Sequence, residues 1–191
     1  MTGVQTCALP IFTVRLPLTP ESAVRLGVPE ETSLLVWTTT PWTLSSNCAA
    51  CVGADIEYCL VRDAENGARH ILAKALAAKY FGDAVVPEKV FPGSALLGVK
   101  YQPLFAYDLP TDPATGREAD RYWEVIAGDF VDLETGTGIV HMAPAFGEDD
   151  YRVCREQGIG FLCFVRPDGT FDERVTDTDP FDGAPITGRF C

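Results

Sequence analysis

The stretch Leu34–Asn47, LLVWTTTPWTLSSN, decides the fold that the sequence predicts. It begins with four apolar residues, which are typical of a short strand, and continues directly into Thr38, Thr39 and Thr40. Pro41 ends the strand, because proline has no backbone N–H to donate to a neighbouring strand. Hydroxyl groups at the end of a strand lie at a sheet edge, where a ligand can reach them. We therefore expect one wall of a binding pocket here.

A second stretch, His141–Asp150 (HMAPAFGEDD), has the same character. It carries one histidine directly after an apolar strand, then a loop with proline and glycine, then an acidic cluster. The sequence predicts that this loop and the threonine loop face each other across a single pocket.

The threonines indicate what chemistry such a pocket could perform. Side chains alternate along a strand, so Thr38 and Thr40 share one face and Thr39 points away unless the turn after the strand rotates it. Hydroxyls can hold a water molecule or a ribose hydroxyl but are poor bases, and no Ser–His or Cys–His arrangement suggests a covalent intermediate. A positioned water attacking an activated ester would suffice, with orientation supplying most of the rate. High β-propensity alone would also explain three consecutive threonines.

His141 and the acidic cluster each allow two interpretations. A single histidine at a strand end is usually a structural hydrogen-bonding group, but the small residues after His141 leave room for a side chain of limited size. Asp149 and Asp150 stand at the start of a predicted helix, where aspartate is a common cap. In the functional interpretation, one aspartate binds the α-ammonium group of an amino acid.

Composition restricts the class of protein. The 191 residues are 47% apolar and include 14 prolines and 17 glycines, which favours short strands and turns over a helix bundle. We expect one α/β, β-rich domain. The net charge of −12 argues against a free-standing nucleic-acid-binding protein. No apolar run approaches the ~20 residues of a membrane span.

The seven cysteines are odd in number and scattered, which argues against a disulfide framework. Cys48 and Cys51 have the C-x-x-C spacing of half a zinc site or of a redox pair. No second pair or matching histidines complete a zinc site, and the pair lies in a predicted strand rather than at the start of a helix. We therefore expect buried thiols, no metal site, and a reducing, cytoplasmic location.

Hydrophobic periodicity predicts the following strands: Phe12–Leu18, Ser33–Trp37, Cys48–Val52, Ile56–Arg62, Arg69–Ala73, Ala84–Phe91, Tyr122–Ala127, Ile139–Met142 and Gly160–Val165. The clearest predicted helices are Ala73–Phe81 and Asp149–Gln157. The polar stretch 109–121 predicts an exposed loop.

Residues 1–11, MTGVQTCALPI, fit nothing that follows. They lack the charged start and long apolar run of a secretory signal, and they match the conceptual translation of a common sequencing-adapter oligonucleotide. We expect residues 1–11 to be a non-native leader and residues 12–191 to be a domain truncated from a longer protein. An ordinary N-terminal strand is the alternative.

The two motifs together resemble a known family. TTTPWTLSSN followed by GTGIVHMAPAFGEDDY is similar to the editing domain, or connective peptide, of isoleucyl-tRNA synthetase, a class I aminoacyl-tRNA synthetase. The valyl and leucyl relatives have an Arg-Pro-Glu or Arg-Pro-Asp type of motif after their threonines, whereas this chain has Thr40-Pro41-Trp42-Thr43. The resemblance runs from about Phe12 to the C-terminus, and it implies a compact, β-barrel-like fold with a few short helices.

The resemblance also implies the roles of individual residues. The implied catalytic residues are Thr38, Thr40, His141 and Asp150, and the implied substrate-binding residues are Thr39, Trp42, Asn47, Phe146 and Gly147. The threonines would hold the terminal ribose or the attacking water, and Asp150 would bind the α-ammonium group. His141 would limit the size of the amino-acid side chain. Ser45 stands where the family usually has proline, so this loop is expected to be looser.

The implied function is post-transfer editing, in which a positioned water hydrolyses Val-tRNA(Ile). It follows the two-site logic established for isoleucyl-tRNA synthetases, in which a second pocket admits valine but excludes isoleucine. The implied partners are the 3′ end of aminoacylated tRNA(Ile) and the remainder of the synthetase, with the chain itself monomeric. His-Ile-Gly-His and Lys-Met-Ser-Lys-Ser type signatures are absent from the sequence. ATP and magnesium are therefore assigned to the parent enzyme, and no cofactor to this chain.

Three other hypotheses remain open from the sequence. The chain could be an editing domain for another small amino acid, although the Thr-Pro-Trp motif counts against this. It could be a non-catalytic β-rich binding module in which both motifs are structural. It could also be a redox or metal protein that uses Cys48 and Cys51.

Overall fold

The computed structural model describes residues 11–180 and 182–191. Within these residues, eight strands form one mixed sheet with the order β6-β4-β5-β2-β8-β3-β7, and β1 pairs with β2 off this path. The strands are β1 (Phe12–Pro17), β2 (Thr32–Thr38), β3 (Ala49–Val52), β4 (Glu57–Arg62), β5 (Arg69–Ala73), β6 (Lys89–Pro92), β7 (Glu124–Ala127) and β8 (Ile139–Met142). The sheet curves into a half-barrel, which confirms the predicted β-rich, barrel-like α/β fold.

The helices are few and short, as the glycine and proline content predicts. They are α1 (Pro20–Leu26), α2 (Ala77–Phe81), α3 (Gly93–Leu96) and α4 (Glu148–Glu156), with 3₁₀ turns at Pro41–Ser46 and Lys74–Leu76. Helix α1 shows how the sequence sets the start and the end of such a helix. The Thr19 side chain accepts a hydrogen bond from the Ser22 N–H at its start, and Gly27 ends it with φ of 61°, a conformation that glycine adopts at little cost.

The pairing of β2 with β8 places the two sequence motifs side by side. Strand β2 runs parallel to β5 near its start, where Leu34 pairs with Ile71, and parallel to β8 near its end, where Trp37 pairs with Val140. Strand β8 is antiparallel to β3 on its other side. Because β2 and β8 are parallel, their carboxyl ends meet at the same edge of the sheet.

The two faces of the sheet are buried in separate apolar clusters. Alternate residues of β2, such as Leu34 and Val36, lie in the main cluster inside the half-barrel. On the other face, Met142 of β8 belongs to a cluster with Val153 and Cys154 of α4. This packing holds α4 against β8, so that the first turn of α4 lies beside the end of that strand.

Several predicted elements differ from the observed ones. The predicted helix Ala73–Phe81 is divided into the 3₁₀ turn and α2. The predicted strand Ala84–Phe91 is wrong over most of its length, because only β6 pairs with β4. Residues 82–84, 86 and 88 before it are exposed and bury nothing against the sheet.

Two further strand predictions need correction. The predicted strand Gly160–Val165 is wrong, since this segment makes only isolated bridges such as that between Phe161 and Thr111. The predicted strand Tyr122–Ala127 begins two residues later, because Trp123 has φ of 48° and cannot continue an extended ladder. By contrast, the predicted exposed loop 109–121 is mostly exposed, with Pro110 and Ala119 buried.

Two further predictions concern the N-terminal residues and the absence of a membrane span. Apart from Ile11, the predicted leader 1–11 lies outside the described residues. Among the helices that the structure describes, none combines the length and the apolar character needed to cross a bilayer.

Candidate functional site

A row of threonine hydroxyls follows the end of β2. The Oγ1 atoms of Thr38 and Thr40 are 3.3 Å apart, and the Thr40 N–H donates to Thr38 Oγ1 at 3.1 Å. Thr43 lies one turn further on, with its Oγ1 3.3 Å from that of Thr40, and it donates to the Thr40 carbonyl at 2.8 Å. Thr38 and Thr40 therefore lie side by side, as predicted, although β2 ends at Thr38 and Thr40 begins the following turn.

His141 lies at the end of β8 with both ring nitrogens occupied. Nε2 is 2.9 Å from Thr43 Oγ1, and Nδ1 is 2.9 Å from Asn47 Nδ2. The ring is 5% exposed, and burial lowers its pKa from 6.5 to about 4. The imidazole is therefore neutral at physiological pH, and neither nitrogen is free to act as a base. Its position makes it a wall of the site.

Asp150 stands in the first turn of α4 and is the ionisable group of the site. Its Oδ2 accepts a hydrogen bond from the Ala143 N–H at 2.8 Å, which ties the helix to the loop after β8. Burial raises the pKa of the Asp150 carboxyl above its ordinary value, so its charge is incompletely solvated. Gly147 leaves space for this carboxylate, because a Cβ at Gly147 would lie 3.1 Å from Asp150 Cγ.

These groups enclose a cavity of about 210 Å³. It is lined by Trp37, Thr38, Thr39, Thr40, Thr43, Val140, His141, Ala143, Phe146, Gly147 and Asp150. A cavity of this size is smaller than the ~300–1,000 Å³ typical of whole-ligand pockets, so it suits one end of a ligand. The two motifs do face each other across one pocket, as the sequence predicts.

Two of the predicted site residues, Asn47 and Trp42, are not part of the cavity lining. Asn47 is 4% exposed and contacts His141, whose ring it positions. Trp42 packs edge-on against Phe146, with ring centroids 4.8 Å apart, and so supports the rim. The structure brings the other predicted residues together in the lining.

Larger clefts exist elsewhere on the molecule, with volumes of about 560 and 660 Å³. Neither is lined by any of the predicted site residues. The cavity of about 210 Å³ is the candidate site, because hydroxyls, a partly buried carboxylate and a neutral imidazole converge on it.

Comparison with known sequences identifies the relatives of the chain. No protein-family model matches it. It is 42% identical over 147 residues to the isoleucine–tRNA ligase of Chlamydia abortus, 43% over 151 residues to that of Bdellovibrio bacteriovorus, and 45% over 147 residues to that of Mycobacterium tuberculosis. The matches cover 76%, 77% and 75% of this chain. The chain is homologous to a segment of the isoleucine–tRNA ligases.

This segment is a small part of those ligases, since it spans 14%, 14% and 13% of their respective lengths. Comparison of folds gives a consistent result. GlLeuRS-CP1 matches with a TM-score of 0.58 at 18% identity, covering 77% of this chain and 58% of that one. The cytosolic leucyl-tRNA synthetase editing domain of P. falciparum matches with a TM-score of 0.56 at 10% identity, covering 77% and 66%. The ligase segment therefore has the fold of synthetase editing domains.

Sequence reasoning missed several residues that complete the site. Thr43 belongs to the Thr-Pro-Trp-Thr motif but was not among the predicted site residues, yet it joins His141 to the threonine row. The signal was available, because the 3₁₀ turn that starts at Pro41 returns the side chain at position 43 towards Thr40. Trp37 and Val140 also line the cavity, and only the observed pairing of β2 with β8 shows this.

The C-x-x-C pair of the ligase segment belongs to its core. Cys48 and Cys51 are fully buried, and burial raises the pKa of each thiol to about 12. Neither is a thiolate at neutral pH, so neither has the reactivity that redox chemistry needs. Among the described residues, no group of three or more His, Cys, Asp or Glu side chains is placed to hold a metal.

The ligase segment should lose stability on mild acidification because of His141. The unfolded chain binds a proton near pH 6.5, whereas the folded chain does so only near pH 4. The free energy of unfolding should therefore fall as the pH drops through this window, by up to about 1.4 kcal/mol per pH unit for this histidine. Urea unfolding between pH 7.5 and 4.5 measures the effect.

The matched variant for this test is His141→Gln, whose slope of stability against pH should be smaller than that of the wild type. His70 is also buried and has a lowered pKa, so part of the slope should remain in this variant. An unchanged slope in His141→Gln would contradict the assignment of a neutral, buried His141.

Proposed function

We propose that this chain is the editing domain of an isoleucine–tRNA ligase and that it hydrolyses Val-tRNA(Ile) by means of a positioned water. One observation carries the proposal. The Asp150 carboxylate lines the same small cavity as the hydroxyls of Thr38 and Thr40. An aminoacyl ester has an α-ammonium group next to its carbonyl carbon, so it needs an anion beside a place for water. This cavity supplies both.

In the proposed mechanism the residues position the reactants. Asp150 binds the α-ammonium group, which fixes the ester carbonyl relative to the threonine row. A water held by the threonine hydroxyls attacks the carbonyl carbon, and the bond from that carbon to the ribose oxygen breaks. The leaving ribose oxygen takes up a proton that the water gives up. Orientation supplies the rate enhancement, since an aminoacyl ester is already activated.

His141 acts in this mechanism as a wall and not as a general base. Both its nitrogens are hydrogen-bonded within the protein, and its proton affinity is low because it is buried. Together with Phe146 it limits the length of the side chain that the cavity accepts. Selection of valine over isoleucine is therefore steric, through the space left by His141 and the adjoining loop.

The remaining parts of the proposal concern partners and surroundings. The 3′ end of tRNA(Ile) enters the cavity, and the rest of the ligase holds the tRNA body, because a net charge of −12 disfavours phosphate binding by this chain alone. The hydrolysis needs no metal or cofactor here, and ATP with magnesium serves aminoacylation elsewhere in the parent enzyme. We further propose a monomeric, cytoplasmic domain.

The test is hydrolysis of Val-tRNA(Ile) by this chain, with Ile-tRNA(Ile) as the matched control. We expect loss of the valyl ester only. A short aminoacylated 3′-end mimic at high concentration removes the dependence on the tRNA body. If the folded chain hydrolyses neither Val-tRNA(Ile) nor the valylated 3′-end mimic, the hypothesis of a non-catalytic binding module is favoured. If it hydrolyses the ester of another small amino acid faster than that of valine, the specificity part of the proposal is wrong.

A further inference from the structure

The larger cleft of about 660 Å³ lies directly beside the candidate site. Its lining includes Pro144, from the loop after β8, and Tyr151 and Arg155 of α4. Pro144 and Tyr151 directly follow Ala143 and Asp150, which line the small cavity. Because consecutive Cα atoms are only about 3.8 Å apart, a ligand that extends beyond the small cavity is within reach of this cleft.

The rest of the cleft comes mainly from a segment that the sequence predicted only as an exposed loop. Residues 112–115 and 117–120 line it, together with residues 158–161. Three of the lining residues, Ala119, Cys154 and Ile159, are buried. The volume lies within the ~300–1,000 Å³ range typical of whole-ligand pockets, so the cleft can hold a unit that the small cavity cannot.

Helix α4 has two arginines whose surroundings differ. Arg152 pairs with Asp149 at 3.2 Å and with Glu156 at 3.6 Å, and it lines a different cleft. Tyr151 and Arg155 are four positions apart, so they share one face of the helix. Tyr151 is 41% exposed. Within the described part of the chain, its ring packs on no other aromatic ring, and the Arg155 guanidinium has no hydrogen bond or ion pair.

The charged groups of the lining indicate what kind of ligand fits. Two guanidinium groups and three carboxylates line the cleft, from Arg117, Arg155, Asp112, Glu118 and Asp120. Asp112 accepts a hydrogen bond from the Thr115 hydroxyl, and Glu118 accepts one from the Tyr122 hydroxyl. The side chains of Arg117, Arg155 and Asp120 have no such partner among the described residues. A simple phosphate site would not contain these carboxylates, so the lining suits a ligand that has both donors and acceptors.

The edge of a nucleic-acid base has this combination. Cytosine carries an amino group that donates to a carboxylate, next to a ring nitrogen and a keto oxygen that accept from a guanidinium. Its flat face can stack on an aromatic side chain, which is a common way for proteins to bind unpaired bases. The proposed substrate supplies this base, because the two nucleotides before the terminal adenosine of a tRNA are cytidines.

We propose that this cleft binds the cytidine that precedes the terminal adenosine of the tRNA. The base stacks on Tyr151, its amino group donates to Asp120, and its keto oxygen accepts from Arg155. The small cavity then holds the aminoacyl ester, and the cleft holds a nucleotide for which that cavity has no room. This inference rests on the proposed function, because an aminoacylated 3′ end in the cavity is what brings a cytidine to the cleft.

The first measurement is the binding of unacylated probes, followed by NMR titration of the ¹⁵N-labelled chain. The probes are adenosine and the trinucleotides 5′-CCA-3′ and 5′-CUA-3′. We expect CCA to bind on the order of tenfold more tightly than adenosine, because a stacked base adds to the affinity, with shifts at Tyr151 and Arg155. CUA should bind more weakly than CCA, since uracil has an oxygen where cytosine has its amino group.

Variants of the cleft assign this difference to individual residues. Tyr151→Ala and Arg155→Ala should each reduce the advantage of CCA over adenosine several-fold, and both side chains are exposed, so the fold should persist. Asp120→Asn should remove the preference for CCA over CUA, because an amide can donate to uracil as well as accept from cytosine. Arg152→Ala is the matched control. It removes the same charge from the same helix, outside this cleft, and should keep the advantage.

Two outcomes would overturn the inference. One is wild-type chain that binds CCA no more tightly than adenosine. The other is an equal loss of CCA binding in Arg152→Ala and Arg155→Ala, which would indicate only general attraction to the phosphates. The link to hydrolysis is tested with valylated CCA and valyl-adenosine, for which we expect a lower KM with valylated CCA. If neither ester is hydrolysed although CCA binds as expected, the proposed function fails, and the assignment of the cleft is upheld by binding alone.

Discussion

Replacing Asp150 with asparagine should abolish most of the hydrolysis without destabilising the fold. Asparagine can still accept the Ala143 N–H that Asp150 Oδ2 accepts at 2.8 Å, so the loop should keep its conformation. What is lost is the charge that, in the proposed mechanism, binds the substrate's α-ammonium group. Removing one member of a desolvated charge pair costs about 2–5 kcal/mol, which corresponds to a rate loss of roughly 30-fold to several thousandfold.

The stability of this variant should be unchanged or higher. The pKa of the Asp150 carboxyl is raised in the folded state by burial. Its contribution to stability is therefore greatest when it is protonated, and is lost as the pH rises through the folded pKa. At neutral pH the ionised side chain opposes folding, and a neutral amide removes that cost. Activity and denaturant unfolding, measured on the same preparation, separate the two effects.

Asp149→Asn is the matched control for this prediction. Asp149 lies in the same turn of α4, but its side chain is 70% exposed and pairs with Arg152 at 3.2 Å. Both variants remove one negative charge near the start of the helix, so a general electrostatic effect would appear in both. Equal losses of activity in the two variants would contradict the role proposed for Asp150.

Replacing Gly136 with alanine should produce the largest loss of stability of any single change considered. Gly136 has φ of 66°, and a Cβ there would lie 2.2 Å from the Trp37 ring. Alanine is strained at such a φ, and the ring would have to move away from its place at the cavity. We expect the free energy of unfolding to fall by about 2–4 kcal/mol from the two effects together. Denaturant unfolding measures this.

Gly116→Ala separates backbone strain from the clash with the tryptophan. Gly116 has nearly the same φ, 67°, but a Cβ there would meet nothing within 4 Å. Its replacement should cost about 1 kcal/mol, and it should leave hydrolysis unchanged. Because Trp37 lines the cavity, Gly136→Ala should also weaken substrate binding. If both variants were destabilised equally, Trp37 would not be packed against Gly136 as the structure shows.

The sequence predicted the parts of the fold that depend on local pattern. The strands that end at Thr38 and at Met142, and helix α4, lie close to where periodicity places them. The segment Gly160–Val165 has the same apolar character but forms no strand, because strand formation requires a partner with a free edge. The strand predicted from Tyr122 begins two residues late because of the backbone angle of Trp123, which the sequence pattern does not specify.

In the site, too, local sequence pattern predicted some residues and could not predict others. The hydroxyls, His141 and Asp150 were found because motifs keep such residues close together in sequence. The turn at Pro41 indicates that the Thr43 side chain returns towards Thr40, but its contact with His141, 98 positions along the chain, has no signal in the local sequence. Of the two roles implied for His141, the geometry favours that of a wall over that of a base, because both its ring nitrogens have partners.

The position of β8 in the sheet has a consequence for the chain as it leaves the ribosome. Strand β8 pairs with β2 on one side and β3 on the other, yet residues 53–138 must be translated before it appears. At 5–20 residues per second this takes roughly 4–17 s. During that time β2 and β3 lack this partner, and unpaired apolar edges attract other chains. These edges of β2 and β3 therefore stay open to other chains until residue 142 has emerged.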